Sequence, residues 1–521
     1  MIPPQTLAAV RPSLPQMDSV LARPWARALV PSLSDLFFLA ILVWLFMSSG
    51  AAGWEGLLAD ADVGWHIRTG EYILDHHTVP RHDLYSFSKP GAPWYAWEWL
   101  TDVIFGGLHR IAGLKGVVLA AGLLISLFAL TLIRRMVRRG AHLFVALAVA
   151  LLGVGGSSMH FLARPHLLTM LLLSVSVWMI EEDRKRPSRR IWWLVPITAI
   201  WTNLHGGFLA LIAVLGLLVI GSAIEAWFGS AGTIRDAVRY AKLTVACGAA
   251  TLLNPYGWNL HRHVIEYLRS DWIRNVVQEF QSPSFRSENM LQFEALLLIG
   301  LIVAGAQLRQ WKVVEGLWIL FWAHMALGSV RHAPLFITVT TPILAGEISS
   351  WWTRWTAHVR RGTLPDILNL MAADARKGFR RSSVWPAAVM VGLVLVGRPV
   401  KWPRDFPDFV FPAQMVRGHS ELILQSRVLT TDQWADYLIY VNPAQKVFID
   451  GRSDFYGPEI GNDYIHLTAG NWDWRPLLER YRFNLVLLPV ESALVQILKT
   501  APDWRVLEDD GKRILLVRRR S

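Results

Sequence analysis

Between positions 34 and 398 the chain alternates long apolar runs with short polar, often basic, breaks. A bilayer crossing needs roughly 20 mostly apolar residues. Runs near 34–52, 116–133, 142–160, 166–180, 191–204, 207–227, 241–253, 291–308, 313–330, 333–350 and 384–398 approach that length, so the pattern predicts about eleven transmembrane helices. Beyond 399 the pattern changes. Val428-Leu429, Lys446-Val447-Phe448-Ile449, Asn484 to Leu488 and Arg513 to Val517 read as short strands. Helical patterns at 432–441, 474–482 and 491–500 lie between them. The expected fold is mainly α: a polytopic helical bundle followed by an α/β domain. Its divisions are a tail at 1–33, a transmembrane domain at 34–398 with a long first loop at 53–115, and the α/β domain at 399–521.

Charge fixes the orientation. With the N-terminus in the cytoplasm, the inner connections hold Arg134-Arg135 with Arg138-Arg139, Arg184-Lys185-Arg186 with Arg189-Arg190, Arg235 to Lys242, Arg309 to Lys312, and the stretch 351–383. All are basic, the positive-inside signature. The first loop, several tight turns, the α/β domain and most of the 16 histidines then face the other side. A net charge of +12 invites thought of nucleic acid, but the basic residues form no single patch, so no nucleic-acid partner is expected. The lone Cys247 lies in an apolar run and excludes disulfides and thiolate metal cages. Many of the 26 tryptophans flank apolar runs, as in an interfacial belt.

Candidate chemistry gathers on the outer side. Asp60-Ala61-Asp62-Val63-Gly64-Trp65-His66 opens the first loop. On a helix, Asp62 and His66 stand one turn apart on one face, while Val63, Ile67 and Leu74 form a stripe suited to the membrane surface. Such a carboxylate is a general base or, with Asp60 and His66, a ligand set for a divalent metal; the plainer reading makes Asp62 a helix N-cap. Asp83 and Glu98 follow among Trp94, Trp97 and Trp99, a composition that fits a sugar site and a membrane interface equally. Arg164-Pro165-His166 offers a phosphate clamp, since a guanidinium binds phosphate in bidentate fashion. His205 in Asn203-Leu204-His205-Gly206-Gly207, and Arg331-His332, mark two further outer turns. Convergence on one membrane face is the signal; each motif alone is weak.

The chain resembles the GT-C superfamily of polytopic glycosyltransferases, and more closely bacterial membrane proteins of that type. The resemblance rests on Asp60-x-Asp62-x-x-Trp65-His66-x-x-x-Gly70-Glu71, on Pro80, Asp83 and Ser86, and on Trp97-Glu98-Trp99-Leu100. It extends to Arg164-Pro165, Asn203-x-His205-Gly206, Asn254-Pro255-x-Gly257 and the run Val447 to Gly457. Asp432 to Tyr437 is similar to an oligosaccharyltransferase acceptor motif but lacks its second Trp and its Gly, so that role is not assigned. The resemblance implies a polyprenyl-phosphate-linked sugar donor and catalysis at the outer face of a bacterial inner membrane, with the soluble domain outside. It makes Asp62 or Asp60 the base or metal ligand, and Arg164, His166, Arg331 and His332 candidates for the donor phosphate. The partners implied are the lipid-linked donor and membrane lipids. The competing expectations are a transporter or lipid flippase, and a non-catalytic assembly protein.

Overall fold

The computed structural model describes residues 24–48, 53–287, 289–376, 378–380, 382–396 and 402–519. Most of the N-terminal tail, and Lys377 and Arg381 of the last basic loop, lie outside that range. Each apolar run from 34 to 398 contains a helix. Among the described residues, four helices are long and apolar enough to cross a membrane: Leu114–Arg138, Leu143–His160, Phe208–Trp227 and Met290–Arg309. Leu33–Met47 and Val313–Gly328 are apolar but shorter. The expected span at 191–204 is only the 11-residue helix Leu194–Leu204, because a 3₁₀ turn at Arg189–Trp193 takes up its start. Outward-facing Ile220, Leu298 and Ile302 leave an apolar girdle on these helices.

Two polar zones cap the bundle. At one end Arg135, fully buried, donates to Glu181 at 3.0 Å and to the Thr338 carbonyl at 2.6 Å. Arg139, Arg184, Glu315 and Glu225 extend the network. A buried ion pair of this kind holds only when both partners stay, since either alone would leave an uncompensated charge. His166 begins the helix His166–Lys185, which carries Glu181 near its far end. At 1.5 Å per residue the zones stand about 22 Å apart along that helix.

The other zone is built by the first loop and the C-terminal part. Asp62–His76 and Trp99–Ala112 pack backbone to backbone. A Cβ on Gly70 would fall 1.7 Å from the Asp102 carbonyl oxygen, so only glycine allows this approach. Asp432–Val441 packs on the same helix, and Arg68 Nε donates to the Tyr440 carbonyl at 2.7 Å. This cover buries Val63 and Ile67 completely. Val63 and Ile67 of the stripe expected on the membrane surface are therefore core, because two helices cover them, while Leu74 is half-buried.

The C-terminal sheet has four strands: β1 (Val428–Thr430), β2 (Leu485–Pro489), β3 (Trp504–Asp509) and β4 (Arg513–Arg518), in the order β1-β2-β4-β3. β1 and β2 are parallel, and the other pairs are antiparallel. The run 446–449 does not join this sheet. Its Val447 exchanges backbone hydrogen bonds with Tyr85 and Phe87 and so clasps the first loop. β-propensity marks a segment that wants pairing, but it does not name the partner. Strand β3 and the helix Ser453–Thr468 escaped the sequence reading.

Candidate functional site

Between the first loop, the outer turns and the C-terminal part lies a cavity of about 580 Å³. Asp62 lines it at the first position of its helix. Its backbone N–H donates to Asp60 Oδ1 at 2.9 Å, so Asp60 does the local turn work and the Asp62 carboxylate is left for tertiary contacts. Ala61 N–H donates to Gln433 Oε1 at 2.9 Å, which pins the turn from the C-terminal side.

Arg164 organises the acids. Its Nη2 stands 2.6 Å from Asp62 Oδ2, while Nη1 reaches both Asp60 Oδ2 and Glu279 Oε1 at 2.9 Å. Burial opposes the guanidinium charge, but the surrounding carboxylates hold its pKa well above the ordinary value. The same contact with Arg164 holds Glu279 low. Burial pushes Asp62 up to about 7 against the pull of Arg164, with Asp60 and Glu279 adding to the rise. Asp62 Oδ1 is buried against the carboxyl of Asp436, whose own pKa burial and the neighbouring Asp62 push well above the ordinary carboxylate range. Gly451 makes room for it, because a Cβ there would fall 2.1 Å from Oδ1.

His66 is not turned toward Asp62. Its Nδ1 lies 2.6 Å from Asp102 Oδ1, and its Nε2 lies 3.5 Å from Glu98 Oε2. Burial lowers the His66 pKa and raises those of Glu98, to about 8, and Asp102. Glu98 also faces His205 Nε2 at 3.5 Å. His205 Nδ1 accepts from Gly207 N–H at 2.9 Å, which places the imidazole proton on Nε2, toward Glu98. Burial, then Arg331 and Arg164, depress the His205 pKa to about 3, so it acts as a neutral donor.

The expected metal set does not form. Asp60 and Asp62 both point at Arg164 and His66 at Asp102, and no group of three His, Cys, Asp or Glu among the described residues is placed to hold a metal ion.

The remaining predicted residues divide. His166, Arg331 and His332 line the cavity, and Arg331 stacks on Phe280 at 4.4 Å. His166 is tied to the His160 carbonyl at 2.5 Å, and His332 Nδ1 lies 3.1 Å from the Met325 carbonyl. Trp94 and Trp97 line the cavity, but Trp99 instead donates to Asn203 Oδ1 at 2.8 Å. Asp83 does not line it; it is buried and accepts from the Ser86 hydroxyl and from Arg452 Nη2 at 2.8 Å. Sequence reasoning missed Glu279 and Asp102 entirely, and Asp436 stood inside the run Asp432 to Tyr437, to which no role was assigned. Arg452 and Asp454 stood inside a noted motif, Val447 to Gly457, without a role.

No family model matches the chain, and no curated protein matches its sequence. Two solved structures share its architecture. The archaeal oligosaccharyltransferase AglB from Archaeoglobus fulgidus, in complex with an inhibitory peptide and a dolichol-phosphate, superposes with a TM-score of 0.57 at 13% identity. That match covers 88% of this chain and 69% of the other. The apo form of the Archaeoglobus fulgidus oligosaccharyltransferase gives 0.54 at 12% identity over the same shares. The chain has a GT-C-like fold. In this frame Asp62 of the first loop and the turns that carry Arg164, His205 and Arg331 line one cavity.

Proposed function

We propose that this protein is a membrane glycosyltransferase that moves a sugar from a polyprenyl-phosphate-linked donor to an acceptor hydroxyl at the extracytoplasmic face. In this reading it crosses the bacterial inner membrane about eleven times, with the N-terminus inside and residues 399–521 outside. The observation that carries the proposal is Asp62: a buried carboxylate, one oxygen fixed by Arg164 and the other against the carboxyl of Asp436, in the lining of a cavity that Arg331, His332 and His166 also line.

The chemistry follows from the geometry. Asp62 Oδ1 takes the proton of the acceptor hydroxyl, whose oxygen attacks the anomeric carbon. The bond from that carbon to the phosphate oxygen breaks, and the polyprenyl phosphate leaves with the electron pair. Attack and departure on opposite faces invert the anomeric centre. Arg164 is committed to three carboxylates, so its role shifts from phosphate clamp to positioning Asp62. Arg331, which makes no salt bridge among the described residues, is the better phosphate ligand, with His332 beside it. Phe321, Met325, Leu335, Leu209 and Ala213 supply an apolar wall for the first isoprene units.

The test is sugar transfer by purified Asp62→Asn from a polyprenyl-phosphate donor. Loss of at least about 100-fold in kcat is expected, the usual range for removing a general base. Full activity in that variant would overturn the proposal.

A further inference from the structure

A second set of polar residues lines the cavity and has no task in the transfer step. Arg452 is one of them, 2% exposed. Its Nε and Nη2 donate to Asp450, and Nη2 also donates to Asp83. Its Nη1 is buried and has no partner among the described residues. The guanidinium overlies Trp94 at 4.6 Å, with Tyr85 and Phe455 at 5.1 and 4.9 Å.

Trp65 stands three residues beyond Asp62 on the same helix and is 7% exposed. Its ring meets Trp94 edge to face at 6.1 Å, so Trp65 and Arg452 flank one indole. Trp65 Nε1 is likewise buried without a partner. Asp62 Oδ1 lies against Gly451, the neighbour of Arg452 in the chain. All three side chains line the same cavity.

Buried N–H groups without acceptors are costly, and two of them on residues that line one cavity with a carboxylate form a pattern that asks for a ligand. Its chemistry can be read from the groups. The two N–H donors need oxygen acceptors, and the Asp62 carboxylate accepts from a hydroxyl. A vicinal diol supplies both, since each hydroxyl donates once and accepts twice. Trp94, Trp97 and Tyr95 add ring faces on which sugar C–H groups pack. Asp83 and Asp450 pair with Arg452 from behind the cavity lining, and Asp454 lines the cavity beside it, so the charge of Arg452 is already offset, which disfavours an anionic ligand and suits a neutral one.

We propose that Trp65 Nε1 and Arg452 Nη1 bind hydroxyl oxygens of a carbohydrate acceptor and so turn a neighbouring hydroxyl toward Asp62. The proposal rests on Asp62 as base, and it names the acceptor class that the preceding section left open: a sugar ring, not a peptide.

The test separates this claim from transferase activity. Full-length protein in nanodiscs is probed by saturation-transfer NMR, without donor, using pooled methyl glycosides and a separate pool of short Ser-, Thr- and Asn-containing peptides. Saturation of glycosides but not of peptides is expected. Trp65→Phe keeps a six-membered aromatic ring and removes the pyrrole half of the indole with its N–H; read beside thermal unfolding as a fold control, it should weaken glycoside binding about tenfold, the scale of one lost hydrogen bond to a buried donor. Arg452→Lys should weaken it in the same direction. Because Arg452 lies between two carboxylates, its variant is read only beside Trp65→Phe and with thermal unfolding as a fold control. Absence of glycoside binding, equal binding by Trp65→Phe, or peptide binding in place of glycoside would overturn the proposal. A sugar seen only when supplied as polyprenyl-phosphate glucose would also overturn it, because these residues would then hold the donor. Glycoside binding that Trp65→Phe weakens, without transfer from a panel of polyprenyl-phosphate sugars, would sink the transferase reading and leave only the glycoside site standing.

Discussion

At the residue scale, Asp62 decides the pH behaviour. A base must be deprotonated to act, and burial lifts the Asp62 carboxyl to about 7. Below that pH it is protonated and idle, so kcat/KM for transfer should rise with pH and level off above about 7. Arg164 is the main group that opposes the rise in the Asp62 pKa. Arg164→Gln should therefore move the limb to higher pH as well as lower the plateau. A pH–rate profile checks both effects, and an unshifted limb in Arg164→Gln would remove its positioning role. The residue types were legible in the sequence, because carboxylates and imidazoles are conspicuous next to apolar runs. Their pairings were not. Arg164 suggested a phosphate ligand, yet it is saturated by Asp60, Asp62 and Glu279, and nothing in the spacing of 60 and 164 discloses that contact.

At the element scale, glycines set how closely helices meet. Gly70→Ala puts a methyl 1.7 Å from the Asp102 carbonyl oxygen, which forces Asp62–His76 away from Trp99–Ala112. A loss of about 1–3 kcal/mol is expected, the usual scale of overpacking, read as a lower unfolding midpoint. Gly107→Ala, on the facing helix Trp99–Ala112 with nothing within 4 Å, is the control and should leave the midpoint unchanged or raise it. Gly451→Ala should act differently. Its methyl collides with the Asp62 oxygen, so activity should fall well before stability does. Helices here were legible because apolar runs of fixed length leave little choice. The run 446–449 was not, because its strand-like pattern pairs with the first loop instead of the sheet.

At the scale of the whole molecule, sidedness is the claim to check. Trp472 is 89% exposed in the C-terminal part, and the Arg354 side chain is 65% exposed near the basic end. The native Cys247 is buried and should stay silent. In intact spheroplasts a membrane-impermeant maleimide should label Trp472→Cys, and it should label Arg354→Cys only after permeabilisation. Labelling of both in intact cells would defeat the proposed topology. By itself the sequence determined the helical bundle, the change of pattern near 399 and the pooling of reactive side chains between basic loops. Those follow from hydropathy and charge, which act on each segment independently of its neighbours. Only the tertiary structure decided which acid meets which base, and that the C-terminal part completes the cavity. Asp83 and Arg452 lie 369 residues apart yet bond at 2.8 Å. Hydrogen bonds act over about 3 Å, so side-chain identity can suggest such a pair but only the folded path of the chain creates it.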